Sequence, residues 1–326
     1  MAPMDGITDG AFRIVTDSIG KPDVLYTEFV PADAIMRGAV AVLKSFTRHE
    51  TKTPIIAQLF GANPQAFYAA AFVPAGLGFD GIDINMGCPD RTVMKRGGGG
   101  SLIGDGERAR DIITAVKTAM NDFEAGRDIG DVGLPPAIVS YVRQHAPLAL
   151  MKRRLPVSVK TRIGKESPAT EEWTTSILEA KPDALCVHGR TLAQLYTGRA
   201  DWSEIAKAAR LATQAGVFFM GNGDISSRQD AIMKCAEFKC DGVLVGRNAL
   251  GNPWFFRDNK PMVDERKKAI VRHCELFRQL RPELSLLPMR KHLAWYCRDF
   301  AGYKRVRQDM MKVVTMEDLR SVLLTF

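Results

Sequence analysis

The strongest constraint on this chain is a repeating alternation. Short runs rich in Val, Ile and Phe fall at residues 24–30, 55–60, 81–85, 157–162, 184–188, 217–221 and 242–246, with helix-like stretches between most of them at 32–44, 64–74, 107–123, 171–179, 203–214 and 228–235. Runs that are apolar along most of their length fit strands buried on both faces, and strands alternating with helices imply a parallel sheet. With 326 residues, the expected fold is α/β: a (β/α)8 TIM barrel followed by a small all-α C-terminal domain. The eighth strand would come first. The chain opens Met1-Ala2-Pro3-Met4, where that strand should already be ending, so a very short first strand or an incomplete start is expected.

Two regions break the alternation. Residues 124–154 exceed an ordinary helix-to-strand loop and contain Pro135-Pro136 and Lys152-Arg153-Arg154, which reads as an insertion, partly helical over 138–144. From Pro253 onward only helix-like segments remain, at 264–280, 289–300 and 303–313. The expected division is therefore a catalytic barrel over 1–252 and a helical domain over 253–326. Charge divides the same way. Residues 257–326 hold 16 Lys/Arg against 9 Asp/Glu, leaving 29 against 28 in the rest of a chain whose totals are 45 and 37. A basic excess confined to one end is the footprint of a polyanion partner.

In a parallel barrel the chemistry sits where strands end. Here the strands run into Glu28, Gln58, Asn85 with Cys88, Lys160 with Arg162, His188, Asn222-Gly223-Asp224 and Gly246-Arg247, and Pro3-Met4 stands at the first position. The last two pairs put small residues and backbone amides beside helix starts, the usual makings of a phosphate site. Cys88 lies between Gly87 and Pro89, on a sharp turn over the barrel mouth, and a thiol near its ordinary pKa of about 8.5 is protonated at neutral pH and serves as an acid. The four glycines 97–100 that follow suggest a loop able to move as a lid. Lys160, within an apolar run, needs an anion or a route to water. His188 suits donation to a carbonyl or a phosphate.

Taken together, these segments resemble the tRNA-dihydrouridine synthase family. The likeness runs through Ala2-Pro3-Met4 with Gly6, Thr8 and Asp9, then Ala57-Gln58-Leu59-Phe60-Gly61, and is most specific at Asp83-Ile84-Asn85-Met86-Gly87-Cys88-Pro89 with Val93 and Gly97–Leu102. It continues through Val159-Lys160-Thr161-Arg162-Ile163-Gly164, Val187-His188-Gly189-Arg190-Thr191, Gly221-Asn222-Gly223-Asp224-Ile225 and Gly246-Arg247, in the family's order. The resemblance implies an FMN-dependent oxidoreductase, reduced by NADPH, that saturates the C5–C6 bond of tRNA uridines. It makes Cys88 the proton donor and Asn85 a holder of the base. Ala2, Pro3, Met4, Gln58, Lys160, His188, Asn222, Gly223, Asp224, Gly246 and Arg247 fall to the flavin, with Lys160 positioned to stabilise its anionic reduced ring. Arg162, Lys95 and Arg96 are expected at the RNA, as are Arg290, Lys304, Arg305 and Arg307 in the tail, where Lys291, His292 and Arg298 with Trp295 and Tyr296 are further candidates. Met94-Lys95-Arg96 and the glycine run lean toward the bacterial C-type subgroup, which modifies the D-loop.

Two other readings share part of this pattern. A flavin barrel acting on a free pyrimidine, of the dihydroorotate or dihydropyrimidine dehydrogenase type, has a similar Asn-x-x-Cys-Pro element but no need of a basic tail. A non-catalytic RNA-binding barrel would keep the tail and lose the site. The six cysteines lack metal-ligand spacing, so no metal is expected. No uncharged apolar run reaches about 18 residues, and MAPMDGITDG lacks the features of a secretory signal. A cytoplasmic monomer without a membrane anchor is the expectation.

Overall fold

The computed structural model describes residues 1–257 and 259–324. Seven parallel strands follow one another in sequence order: β1 (Leu25–Pro31), β2 (Ile55–Phe60), β3 (Gly81–Met86), β4 (Val157–Arg162), β5 (Ala184–His188), β6 (Phe218–Asn222) and β7 (Gly242–Leu244). Every one of the expected apolar runs is a strand, displaced by two residues at most. Between the outer strands sits the start of the chain. Met1 N donates to Val24 O at 2.7 Å and Ala2 N to Val245 O at 2.8 Å, so one residue on each side occupies the first barrel position. The fold is the (β/α)8 barrel, with its first strand reduced to that bridge.

Strand parity sorts the side chains. Along β3, Ile82, Ile84 and Met86 face the helices, and along β4 so do Val157 and Val159; all belong to the main apolar core. The intervening Asp83, Asn85, Ser158, Lys160 and Arg162 point into the barrel, because successive side chains of a strand alternate. Parallel register then stacks them in layers. Gln58, Asp83 and Ser158 pair across β2, β3 and β4; Arg162, His188 and Asn222 pair across β4, β5 and β6. A small apolar layer of Ala2, Tyr26, Cys186, Met220 and Leu244 fills the same interior.

The helices complete the outer ring: α1 (Gly10–Gly20), α2 (Ala32–Met36), α3 (Pro64–Gly76), α4 (Arg91–Lys95), α5 (Gly106–Glu124), α6 (Pro136–His145), α7 (Thr170–Leu178), α8 (Trp202–Ala215) and α9 (Arg228–Phe238). The helix expected over 32–44 breaks after α2, where Gly38 adopts φ +83°, and resumes as a 3-10 stretch. Helix α1 was not among the expected helices. Asp9 caps it, accepting from Phe12 N.

After β7 come α10 (Val263–Leu280), α11 (Arg290–Tyr296), α12 (Tyr303–Met310) and α13 (Met316–Leu324). The helix expected over 289–300 stops at Tyr296, since Asp299 takes φ +60°, which an α-helix does not accommodate. These four helices share one apolar cluster with Ala11 and Val15 of α1 and with Trp254. Phe12 of α1 meets the rings of His273 and His292, 5.9 and 5.6 Å between centroids. The helical region therefore packs directly on the helix that leaves the first barrel position.

Candidate active site

A cavity of about 960 Å³ opens at the C-terminal ends of the strands. Of the eleven residues expected at a flavin, ten line it: Ala2, Pro3, Met4, Lys160, His188, Asn222, Gly223, Asp224, Gly246 and Arg247. Gln58 does not. It lies fully buried below, and Glu28 is also outside the lining. Burial beside Asp9 and Asp5 raises Glu28 to about 7.

Gln58 belongs to a chain of oriented amides that begins at Asp83, a residue of the most specific motif to which the sequence assigned no role. Asp83, 0% exposed inside the barrel, accepts from Ser158 Oγ and, at 2.6 Å, from Gln58 Nε2. With its nitrogen committed downward, Gln58 turns Oε1 up to accept from Asn85 Nδ2 at 3.0 Å. Asn85 in turn directs Oδ1 at the backbone N–H groups of Gly87 and Cys88, at 3.1 and 2.9 Å. A carboxylate is acceptor-only when ionised, so it sets the sense of each amide above it. The signal was present in the parity of Asp83 and Asn85, two residues apart on one face of an otherwise apolar strand.

Cys88 stands on this platform. Gly100 N donates to Cys88 O at 2.9 Å from the glycine run. A Cβ at Gly99 would lie 2.7 Å from Val93 Cγ1, and one at Gly100 would lie 2.3 Å from Leu192 Cδ2. The glycines thus allow close packing beneath the Cys88 turn. Burial, with smaller contributions from Asp90 and Asp5, pushes the thiol up, so it is protonated at neutral pH. Arg162 ties this turn to the next loop, donating to Gly87 O at 2.8 Å, Thr191 O at 3.1 Å and Leu195 O at 2.9 Å, while its guanidinium lies over the Tyr196 ring.

Lys160 projects into the cavity with no hydrogen bond or ion pair among the described residues, and burial lowers its pKa from the ordinary lysine value. An ammonium in a low-dielectric wall without a protein partner calls for a bound anion. At the far end, Asp224 accepts from Arg190 at 2.6 Å, from Arg247 at 2.7 Å and from Ala200 N at 2.8 Å. Its carboxylate is consumed in holding the two arginines. Gly223 is obligatory here: φ is +133°, and a Cβ would lie 2.5 Å from that of Ala200. Arg190, Tyr196, Asp5 and Phe29 belong to the lining beyond the expected set. Arg190 stands at the end of its strand in the sequence but was assigned no role, and Tyr196 follows His188 by eight residues, so a strand-end rule extended to the whole loop would have found it.

The residues expected at the RNA separate into groups. Asn85 and Arg162 are in the cavity. Lys95 and Arg96 are exposed beside it on α4 and the turn that ends it. Lys304, Arg305 and Arg307 are exposed on α12 without an ion pair among the described residues. Arg290 instead binds Val313 O and Lys312 O, both at 2.9 Å. Lys291 donates to Gly6 O and Arg298 to Leu250 O, while His292 and Tyr296 are buried and pack with Trp295 and His273. Those side chains stitch the helical region to the barrel. Among the described residues no cluster of three or more His, Cys, Asp or Glu is arranged to hold a metal, and no helix is long and apolar enough to cross a membrane.

Fold and site together define a (β/α)8-barrel enzyme whose strand-end cavity is lined by a protonated thiol, a lysine without a hydrogen bond or ion pair among the described residues, and, at its far end, two arginines on Asp224. The dihydrouridine synthase (Dus) family profile matches residues 1–123 and 137–325. The chain belongs to the dihydrouridine synthase family. It is 30% identical over 99% of its length to 84% of "Probable tRNA-dihydrouridine synthase 1" of Synechocystis sp.. It is 29% identical to "Probable tRNA-dihydrouridine synthase 2" of Bacillus subtilis, covering 99% of this chain and 92% of that one. With "Probable tRNA-dihydrouridine synthase" of Mycobacterium tuberculosis the identity is 31%, over 99% and 80%. The match to the family breaks at 124–136, the first part of the expected insertion; there α5 ends and a 3-10 turn at Ile129–Asp131 leads to α6.

Proposed function

We propose that this protein reduces the C5–C6 double bond of uridines in tRNA, with FMN as its flavin, NADPH as reductant and Cys88 as proton donor, acting as a cytoplasmic monomer. The observation that carries the reading is a protonated thiol and an unpartnered lysine on the wall of one cavity whose other end holds Arg247 and the glycine amides. These residues fit FMN: Gly223, Gly246 and Arg247 would hold its phosphate, Lys160 would face its ring, and Ala2 to Met4 would border its edge. Bound and reduced, the flavin supplies a hydride to C6 of the uracil.

The chain's own residues do the rest. Cys88 Sγ gives its proton to C5, and the thiolate left behind is re-protonated from solvent. Asn85, with one amide hydrogen committed to Gln58, has a second for a carbonyl of the base. Arg162 fixes the loops on either side of the thiol, so that Sγ does not drift from C5. A uridine in folded tRNA must be extruded to reach this depth, at a cost of a few kcal/mol. Phosphate contacts at Lys95, Arg96, Lys304, Arg305 and Arg307 offset that cost by counterion release. In this reading 1–252 is the catalytic unit and 253–326 the RNA-binding unit, with the D-loop as target.

The test mixes anaerobically reduced protein with unmodified tRNA or with a free pyrimidine. Unmodified tRNA should reoxidise it, and the free pyrimidine should not. Replacing Lys304, Arg305 and Arg307 together by Gln should weaken tRNA binding and lower its salt slope by about 2–3. Rapid reoxidation by the free pyrimidine, with the triple variant binding tRNA as wild type does, would overturn the assignment.

A further inference from the structure

The ring of His188, at the end of β5, is gripped on one edge only. Arg190 Nη1 lies 3.2 Å from His188 Nε2. That arginine, 2% exposed, is itself held from behind: Nη2 donates to both oxygens of Asp224 at 2.8 and 2.6 Å and to Gly198 O at 2.8 Å, and Nε donates to Thr197 O at 3.2 Å. Gly223 closes the same edge, since a Cβ there would lie 3.2 Å from His188 Cδ2. The opposite nitrogen, Nδ1, meets no partner among the described residues, and the ring borders the cavity.

A guanidinium has donors and no acceptor, and it does not lose its proton in proteins. The nitrogen it addresses must therefore accept, and a neutral imidazole that accepts at Nε2 carries its one proton on Nδ1. A second proton would set donor against donor at Nε2. It would also add a positive charge facing Lys160, Arg162, Arg190 and Arg247, the charged groups turned toward the ring. Burial, followed by those four cations, pushes His188 down to about 2. The one carboxylate nearby, Asp224, is already shared by two arginines.

We propose that Arg190, anchored by Asp224, is a positioning residue that fixes His188 as its Nδ1–H tautomer, so that the ring offers the cavity one uncharged hydrogen-bond donor. The device divides labour within the site. An uncharged donor selects an acceptor atom, such as a carbonyl oxygen or an unprotonated ring nitrogen, and gives up no proton at neutral pH. Proton delivery then falls to another group on the wall, Cys88 in the function proposed above, and Lys160 supplies the positive charge. The tautomer stands on the fold; that its acceptor belongs to FMN rests on the function proposed above.

The experiment is a long-range proton–nitrogen correlation spectrum of flavin-free protein labelled with nitrogen-15 at its five histidines, with the His188 signals identified by their loss in His188→Gln. Wild type should show the Nδ1–H tautomer, unchanged between about pH 8 and about pH 5, whereas an ordinary histidine titrates near 6.5. Arg190→Lys is too short to span Asp224 and His188, and it should convert a majority of the ring to Nε2–H. Asp224→Asn weakens the anchor, should act in the same direction, and decides the matter if the lysine variant does not fold. A wild-type ring protonated at Nε2, an imidazolium in that pH range, or folded variants with the tautomer unchanged would overturn the proposal. Because no flavin is present, failure to take up FMN would sink the cofactor assignment and leave this result intact.

Discussion

Cys88→Ala should fold, bind flavin and accept electrons from NADPH as wild type does, yet form dihydrouridine about 10²–10⁴-fold more slowly. That range is the usual contribution of a positioned general acid. The variant should be structurally mild because the turn is held through backbone groups, Cys88 N to Asn85 and Cys88 O to Gly100, which alanine retains. A drop in product formation with unchanged flavin reduction places the defect at proton delivery. Product at the wild-type rate, measured by nucleoside analysis under single-turnover conditions, would remove the thiol from the mechanism.

Asp83→Asn should make the protein more stable at pH 8, by about 2 kcal/mol, or roughly 3 °C in Tm for a chain of this size. Burial raises the Asp83 carboxyl from its ordinary value to about 6, despite bonds from Gln58 and Ser158 that favour the charged form. A group whose pKa is raised in the fold contributes stability below its unfolded value, near 3.9, and that contribution is lost as pH rises through about 6. At pH 8 the wild type therefore carries a desolvated charge. Asparagine removes the charge and still offers an oxygen to Gln58 and an amide to Ser158. The difference from wild type should vanish by about pH 4. Thermal melts from pH 4 to 8 would test this, and a variant melting lower than wild type at pH 8 would contradict it. The expected penalty is functional, because Lys160 loses the carboxylate that helps keep it charged.

The barrel was legible in the sequence because its strands are buried on both faces and separated by regular helical lengths, so the apolar runs at 55–60 and 157–162 could be bounded to the residue. Strand-end reasoning located the cavity for the same topological reason. It faltered where a side chain's neighbours, not its position, decide its role. Gln58 sits at a strand end like Lys160, but Asp83 draws its amide down, away from the cavity. Arg290 sits in a basic run, but two carbonyls after α12 claim its guanidinium. The glycines 97–100 read in the sequence as a loop able to move, whereas the closest contact that calls for one of them, Leu192 against Gly100, is distant in the chain and invisible to a local pattern. Helix α1 is as amphipathic as α5 and α8, so its absence from the sequence reading has no physical cause in its apolar pattern.

The central claim is tested most directly by the product itself. Wild-type protein, with NADPH and unmodified tRNA, should add two hydrogens to a uridine of the D-loop, read by mass spectrometry of nuclease fragments, and the protein should show a flavin spectrum. Unmodified fragments from a flavin-loaded, NADPH-reduced protein that reduces a free pyrimidine instead would contradict the account.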